Sequence, residues 1–440
     1  MEVKPGYKQT EVGVIPGDWE VKPANQLGAP VRGGSPRPAG DPRYFNGSYI
    51  PWLTVAALTN IPASQLVVSE TATCLTEEGS LHSRTLTVGT LIIANSGATL
   101  GVAKILGVKC CANDGIAALL NLGTRISTHY LAHFINTKTS YLRDIVATGN
   151  GQPNLNTELI GNFKIPLPPT KAEQEAIAEA LSDTDAFIES IEQLLAKKRQ
   201  IKQGAMQELL TGKKRLPGFS GAGWNKTEVG DLPSDWRVVA IGLIAQVKTG
   251  PFGSSLHERD YVDDGTPIIT VEHLGEDSVT HANLPMVSEA DRRRLDAYSL
   301  EQGDVVFSRV GSVDRNALVT AAESGWLFSG RLLRLRASSG VVHTKYLSYQ
   351  FHSEPFKQRV RTVAVGQTMA SLNTQILKRV LVALPPVAEQ TAIASILSDM
   401  DAEIAALGAK LAKARAIKQG MTQELLTGAI RLPVDVTKAA

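Results

Sequence analysis

Residues 172–217 read AEQEAIAEALSDTDAFIESIEQLLAKKRQIKQGAMQELLTGKKRLP, and residues 388–433 read AEQTAIASILSDMDAEIAALGAKLAKARAIKQGMTQELLTGAIRLP. The two align without a gap at an offset of 216, with 29 of 46 positions identical. A long internal repeat constrains the architecture before any local reading, because each copy is one structural unit. The chain is therefore two copies of one unit. The repeat reaches further: Thr10-Glu11-Val12-Gly13, Pro16, Asp18 and Trp19 return as Thr227-Glu228-Val229-Gly230, Pro233, Asp235 and Trp236 at an offset of 217. Between these matching ends lie two stretches of about 140 residues, roughly 24–163 and 241–379, that resemble each other only faintly.

The repeated block predicts a long helix with a coiled-coil seam. Ile177, Leu181, Thr184, Ile188, Ile191 and Leu195 alternate spacings of 4 and 3, and Ile393, Leu397, Met400, Ile404, Leu407 and Leu411 hold the equivalent positions. A 3.5-residue apolar repeat keeps one stripe facing a partner helix. Pro168-Pro169 and Pro385-Pro386 mark the starts, Gly212 and Gly428 the stops, giving helices over about 171–210 and 387–426. At 1.5 Å per residue each is on the order of 50–60 Å long. From Glu173 to Glu192 the first helix carries seven acids and no base, then Lys197, Lys198, Arg199 and Lys202 follow; Glu389, Asp399, Asp401 and Glu403 precede Lys410, Lys413, Arg415 and Lys418 in the second. Lone helices also prefer this polarity through the helix dipole. Antiparallel intramolecular pairing nevertheless sets each acidic half against a basic half, whereas parallel pairing stacks like on like. By symmetry, the N-terminal segment 7–23 should pack near the end of the second helix, as 224–240 follows the end of the first.

Composition narrows the class. A length of 440 residues exceeds one ordinary domain. No uncharged apolar run of ~18 residues occurs, and the termini carry no apolar targeting run, so a soluble, cytoplasmic protein without membrane attachment is expected. Cys74, Cys110 and Cys111 have neither disulfide-framework nor zinc-site spacing. The formal net charge of +2 does not by itself announce nucleic acid, so a DNA-binding face must come from local clustering.

The variable stretches read as mixed α/β modules, with strands near Tyr49–Val55, Thr90–Ala94, Pro267–Val271 and Asp304–Ser308 and helices over roughly His129–Ile145 and Thr344–Arg361. Shared positions such as Thr54/Thr270, Gly97/Gly311 and Leu155-Asn156-Thr157/Leu372-Asn373-Thr374 suit a common scaffold. Phosphate-binding, dinucleotide, nucleophile-elbow and HExxH motifs are absent from the sequence, and His129 and His133, four apart, have no third metal ligand beside them. No catalytic residue or metal site is assigned. What remains is polar and basic loop chemistry suited to a polyanion. The candidate DNA-contacting residues are Arg32, Arg37, Arg43, Asn95, Gln152 and Asn154 in the first module, and Lys248, Arg309, Arg315 and Gln367 in the second. Arg suits guanine edges and Asn or Gln suits adenine edges.

Three sets of residues carry a family resemblance. They are the Pro-Pro then Glu-Gln helix starts (Pro168-Pro169 with Glu173-Gln174; Pro385-Pro386 with Glu389-Gln390), the Lys-Gln-Gly and Glu-Leu-Leu-Thr-Gly-x-x-Arg-Leu-Pro helix ends, and the run Gly303-Asp304-Val305-Val306-Phe307-Ser308-Arg309-Val310-Gly311. With these the chain resembles, over essentially its whole length, the specificity (S) subunits of type I restriction-modification systems. In the first module the corresponding run, Gly89 to Gly97, lacks the Asp and the Arg. The resemblance implies an α+β chain with target recognition domains at 1–165 and 218–382, conserved helical spacers at 166–217 and 383–433, and a tail at 434–440. The helices would form an antiparallel intramolecular coiled coil in a pseudo-two-fold tandem repeat. It further implies that each domain reads one half of a bipartite, asymmetric site in double-stranded DNA, while the helices set the gap and dock two methyltransferase (M) subunits. Restriction/translocase (R) subunits would complete the assembly. This chain would be non-catalytic and hold no cofactor, with S-adenosylmethionine, ATP and Mg in the partner subunits. Two rivals are a fused or autonomous DNA methyltransferase or nuclease, and a coiled-coil scaffold without DNA function.

Overall fold

The computed structural model describes residues 4–147, 153–221, 223–251, 256–275, 278–338, 340–364 and 370–433. Contacts divide the chain into two compact units, Met1–Leu194 with Leu407–Ala440, and Leu195–Ala406. Both cuts fall within the long helices, Lys171–Leu209 and Val387–Leu426, so each unit holds one variable module and part of each helix.

In the first unit a hairpin, Tyr7–Thr10 with Gly13–Pro16, leads into Glu20–Pro23, which pairs antiparallel with Lys164–Leu167 and so closes the module where its chain leaves for the long helix. Inside are two sheets. One has the order Ala29–Arg32, Ile116–Leu120, Leu91–Ala94, Ala103–Leu106, Val67–Val68; the other has Thr73–Leu75, Phe45–Leu53, Cys110–Ala112, Arg84–Leu86. Leu91-Ile92-Ile93-Ala94 is buried throughout because both faces of its sheet are covered. Leu91 and Ile93 join the helix Thr128–Thr137 and the long-helix residues Ile177, Leu181, Leu425 and Leu426, whereas Ile92 and Ala94 face Leu53, Leu58 and Leu86.

The second unit repeats this plan. A hairpin (Trp224–Thr227 with Gly230–Pro233) precedes the closing pair Arg237–Ala240 and Leu381–Leu384. One sheet has the order Ala245–Thr249, Leu332–Ala337, Val305–Ser308, Asn316–Leu318, and the other Tyr261–Val262, Met286–Val287, Thr266–Ile269, Leu327–Phe328. Val305 and Phe307 pack with Leu347, Phe351, Ile393 and Leu397, and Val306 with Ile269 and Phe328. The helix expected over 344–361 is two helices, Thr344–His352 and Glu354–Val363, separated at the extended Ser353. Pro355 explains the break: its missing N–H is tolerated in a first turn but would leave a gap inside one continuous helix. The helix expected over 129–145 is likewise interrupted, at Lys138: Thr128–Thr137 is followed by a short helical segment, Thr139–Tyr141, and a π-helical turn, Leu142–Val146.

The long helices pack antiparallel in each unit. In the first, Asp185 pairs with Lys418 and Glu192 with Arg415 (2.6 Å); in the second, Lys198 pairs with Glu403 and Lys202 with Asp401, both at 2.6 Å. Residue numbers rise along one helix as they fall along the other. Of the seam positions, Ile177, Leu181, Ile188, Ile191, Leu195, Ile393, Leu397 and Leu411 are buried, while Met400, Ile404 and Leu407 are half-buried. Each fully buried Leu or Ile contributes about 1.5–3 kcal/mol by removal from water. The seam position Thr184 meets Met421, with Oγ1 3.6 Å from its sulfur. The N-terminal hairpin does reach the end of the second helix: Tyr7 Oη donates to Gly428 O at 3.2 Å.

Candidate nucleic-acid interface

The two modules make the same backbone junction where the central strand ends. In the first, Asn95 follows Leu91–Ala94; its amide donates to Gly115 O (3.0 Å), its Nδ2 to Asp114 O (3.2 Å), and its carbonyl accepts from the Leu155 amide (2.8 Å). In the second, Arg309 follows Val305–Ser308; its amide donates to Arg331 O (2.9 Å), its Nη1 to Gly330 O (3.4 Å), and its carbonyl accepts from the Leu372 amide (2.8 Å). Arg309 thus has a positional counterpart, Asn95, although the side chains differ. Gly97 and Gly311 follow two residues later with φ of 76° and 73°, the left-handed turn that favours glycine. The shared Leu-Asn-Thr is explained as well. Its Leu amide docks on the junction, and Asn156 and Asn373 cap the helices Thr157–Asn162 and Thr374–Arg379 by accepting from Leu159 and Ile376 amides.

Three first-module candidates gather around Asp114. Arg32 Nε donates to Asp114 O (2.6 Å), Arg37 Nη2 lies 3.3 Å from Asp114 Oδ2, and Asn95 donates to the same carbonyl as Arg32. Ser35 Oγ donates to Asp114 Oδ1 at 2.8 Å, completing the cluster. Arg43 is held elsewhere, forked onto Asp41 at 2.8 Å, a hydrogen bond that lowers the Asp41 pKa below the usual carboxylate range. Asn154 is half-buried. In the second module Lys248 Nζ donates to Ala297 O (2.7 Å) and sits 4.5 Å from the Tyr298 ring centre; burial, then Arg334 and Arg336, lower its pKa. Arg315 donates to Leu274 O and lines a different cleft from Arg309. Gln152 and Gln367 lie outside the described residues.

A cleft opens in each module at the end of an equivalent strand. The first, of about 450 Å³, is lined by Phe45, Asn46, Trp52, Thr54, Asn60 and Thr73, among others. The second, of about 710 Å³, includes Thr270, Glu272, His273, Asn283, Arg309 and Arg331. Thr54 and Thr270 directly follow Phe45–Leu53 and Thr266–Ile269, and those strands pair in parallel with Cys110–Ala112 and Leu327–Phe328. Each cleft also holds an asparagine in the left-handed region, Asn46 at φ 60° and Asn283 at φ 54°. Such uncommon backbone geometry concentrates at functional sites. Reading the sequence did not single out Arg331, Glu272 or Trp52, because long-range strand pairing is what brings them to a cleft.

The two histidines four residues apart do not share a site. His133 is buried with Nε2 3.0 Å from Ser182 Oγ, and burial pushes its pKa down to about 4, while His129 is exposed. Among the described residues no group of three His, Cys, Asp or Glu could hold a metal ion, and no helix is long and apolar enough to cross a membrane.

Comparison with known proteins follows this plan. The family model described as the type I restriction modification DNA specificity domain matches residues 16–201 and again 233–414. The type I restriction enzyme MjaVIII specificity subunit of Methanocaldococcus jannaschii is 23% identical over 422 residues, covering 95% of this chain and 94% of that protein. The type I restriction enzyme EcoKI specificity subunit of Escherichia coli is 23% identical over 445 residues, covering 95% and 90%. The solved S subunit of a type I restriction-modification system from M. genitalium shares the fold, with a TM-score of 0.60 at 12% identity, covering 97% of this chain and 98% of that one.

Proposed function

We propose, for a chain that belongs to the family of type I restriction modification DNA specificity domains, that each module reads one half of a bipartite, asymmetric sequence in double-stranded DNA. The long helices set the gap between the half-sites and dock two methyltransferase subunits. The chain supplies sequence selection and performs no catalysis. Methylation, and ATP-driven cleavage where restriction subunits join, belong to partners that carry S-adenosylmethionine, ATP and Mg.

One observation carries this reading: the two modules keep the same backbone junction, at the buried Asn95 and at Arg309, yet line their equivalent clefts with unlike side chains, Asn46, Trp52 and Asn60 in one and Glu272, Arg309 and Arg331 in the other. A shared scaffold presenting unlike polar groups is what two different half-sites require, since base edges are discriminated by donor and acceptor pattern. The test is to express the chain with its methyltransferase subunit and map the methylated positions in cellular DNA. A two-part motif with a fixed gap is expected. Replacing residues 24–163 with the corresponding stretch of another family member should change one half of that motif. Alteration of both halves, or methylation without a two-part motif, would contradict the assignment.

A further inference from the structure

We propose that Arg331, at the rim of the second module's cleft, reads the guanine of a G·C pair in the half-site bound by that module. The inference rests on the DNA-reading function above and assigns it to a particular side chain. Arg331 is exposed and lines the cleft. Among the described residues it enters no hydrogen bond or ion pair through its guanidinium, unlike Arg32, Arg43, Lys248 and Arg315.

The backbone beneath it is held from several sides. Arg309 donates to both Gly330 O and Arg331 O, Ser329 N donates to Ile269 O at 2.9 Å, and Leu332 N donates to Ser329 O at 3.0 Å. Gly250 closes over the segment so tightly that a Cβ there would stand 2.1 Å from Ser329 O. A side chain carried on backbone anchored this way needs little backbone ordering on binding, which favours affinity and register. Arg309 is accordingly a positioning residue for Arg331.

The other charge in the cleft decides between a base and a phosphate. Glu272 is exposed and lines the same cleft. A carboxylate repels a phosphate but accepts from cytosine N4–H, while arginine donates a fork to guanine O6 and N7. A G·C edge satisfies both groups. The first module cannot copy the arrangement. By strand pairing and by the junction hydrogen bonds, the position of Arg331 is there occupied by Gly115, whose Cβ would lie 2.5 Å from Val55 Cγ2 and 3.0 Å from Ser96 Oγ.

The test uses the full chain expressed with its methyltransferase subunit, reading methylated motifs for wild type, Arg331→Gln, Arg331→Lys and Glu272→Gln. The half-site of the second module is the one left unchanged by replacing residues 24–163. Arg331→Gln should relax one guanine position there, lowering discrimination on the order of 10- to 100-fold. Arg331→Lys should also relax it, since lysine keeps the charge but loses the fork, and Glu272→Gln should act on the same base pair. An unchanged motif, relaxation at an A·T pair, a different position for Glu272→Gln, or a uniform loss rescued by lysine would overturn the assignment. If the wild-type chain yields no two-part motif, the DNA-reading function fails as a whole, and the readout separates that case.

Discussion

Replacing Arg215 with Met should destabilise the second unit far more than loss of a surface ion pair would. Arg215 Nε and Nη2 donate to the two oxygens of Glu389 at 2.7 and 2.9 Å, and its Nη1 and Nη2 donate to Asp235 at 3.0 and 2.8 Å. The Arg215 side chain is 11% exposed and that of Glu389 only 1%. In Arg215→Met, Glu389 keeps only the Trp236 Nε1 donor at 3.1 Å, an almost buried carboxylate without its cation. Orphaning one partner of a buried pair costs about 3–5 kcal/mol, whereas breaking an exposed pair costs about 0–1. Amide exchange of the hairpin Trp224–Pro233 and the first turns of the helix Val387–Leu426 measures this locally. A loss of ~3 kcal/mol corresponds to opening more than roughly 100-fold more frequent. Arg215→Met with Glu389→Met should recover part of the loss: the stranded charge is gone, while the Trp236 Nε1 donor that Glu389 satisfied is left without its acceptor. The equivalent Arg431 pairs with Glu173 at 2.7 Å; Arg431 is 41% exposed but Glu173 only 3%, so Arg431→Met strands a buried carboxylate in the same way and should cost a similar amount. A cost under ~1 kcal/mol for Arg215→Met, or no recovery in the double variant, would refute the reasoning.

Two further outcomes follow from burial and backbone geometry. Gly212→Ala places a Cβ at φ +69° and 2.6 Å from Pro233 Cδ, so thermal unfolding should show a loss above about 2 kcal/mol, while Gly204→Ala, with open space around it inside a helix, should gain roughly 0.5–1. His133, held at a pKa of about 4 by burial and then by Lys418 and His129, binds its proton more readily in the unfolded chain, near pH 6.5. Its contribution is therefore complete above pH 6.5 and is lost as pH falls toward 4. His133→Gln should flatten the fall of the urea midpoint over that window, and an unchanged slope would disprove the assignment.

The long helices were legible because their signals are local. A 3.5-residue apolar period and a charge gradient are properties of consecutive residues, and they placed the ends within about a residue of Leu209 and Leu426. The loop readers were less legible for a physical reason. Arg43 and Lys248 look like free cations in sequence, yet Asp41 lies two residues from one and Ala297 O reaches the other from 49 residues away. Arg331 shows the converse. Nothing in Gly330-Arg331-Leu332 marks it, because its equivalence to Gly115 exists only once Leu327–Phe328 and Cys110–Ala112 have paired with strands some 60 residues earlier.

The pattern of identity along the chain follows from what must meet. Asp18, Trp19, Glu173 and Arg431 come from three separate segments, yet in the first unit Arg431 bridges Glu173 and Asp18. Arg215 bridges Glu389 and Asp235 in the same way in the second, where Trp236 Nε1 also donates to Glu389, a bond that Trp19 does not make. Beside each Glu, the Gln amide ties the helix start to its module: Gln174 accepts from Ser127 N and donates to Pro168 O, and Gln390 accepts from His343 N and donates to Pro385 O. Loss of either Arg strands a buried Glu, and loss of either Gln strands buried backbone groups at the helix start, at about 1–3 kcal/mol or more for charged groups. Within a cleft the constraint is weaker, because an exposed side chain such as Arg331 can change without stranding anything inside the protein. The ends of each copy are thus fixed by mutual satisfaction, and the clefts are where the two copies are physically free to differ.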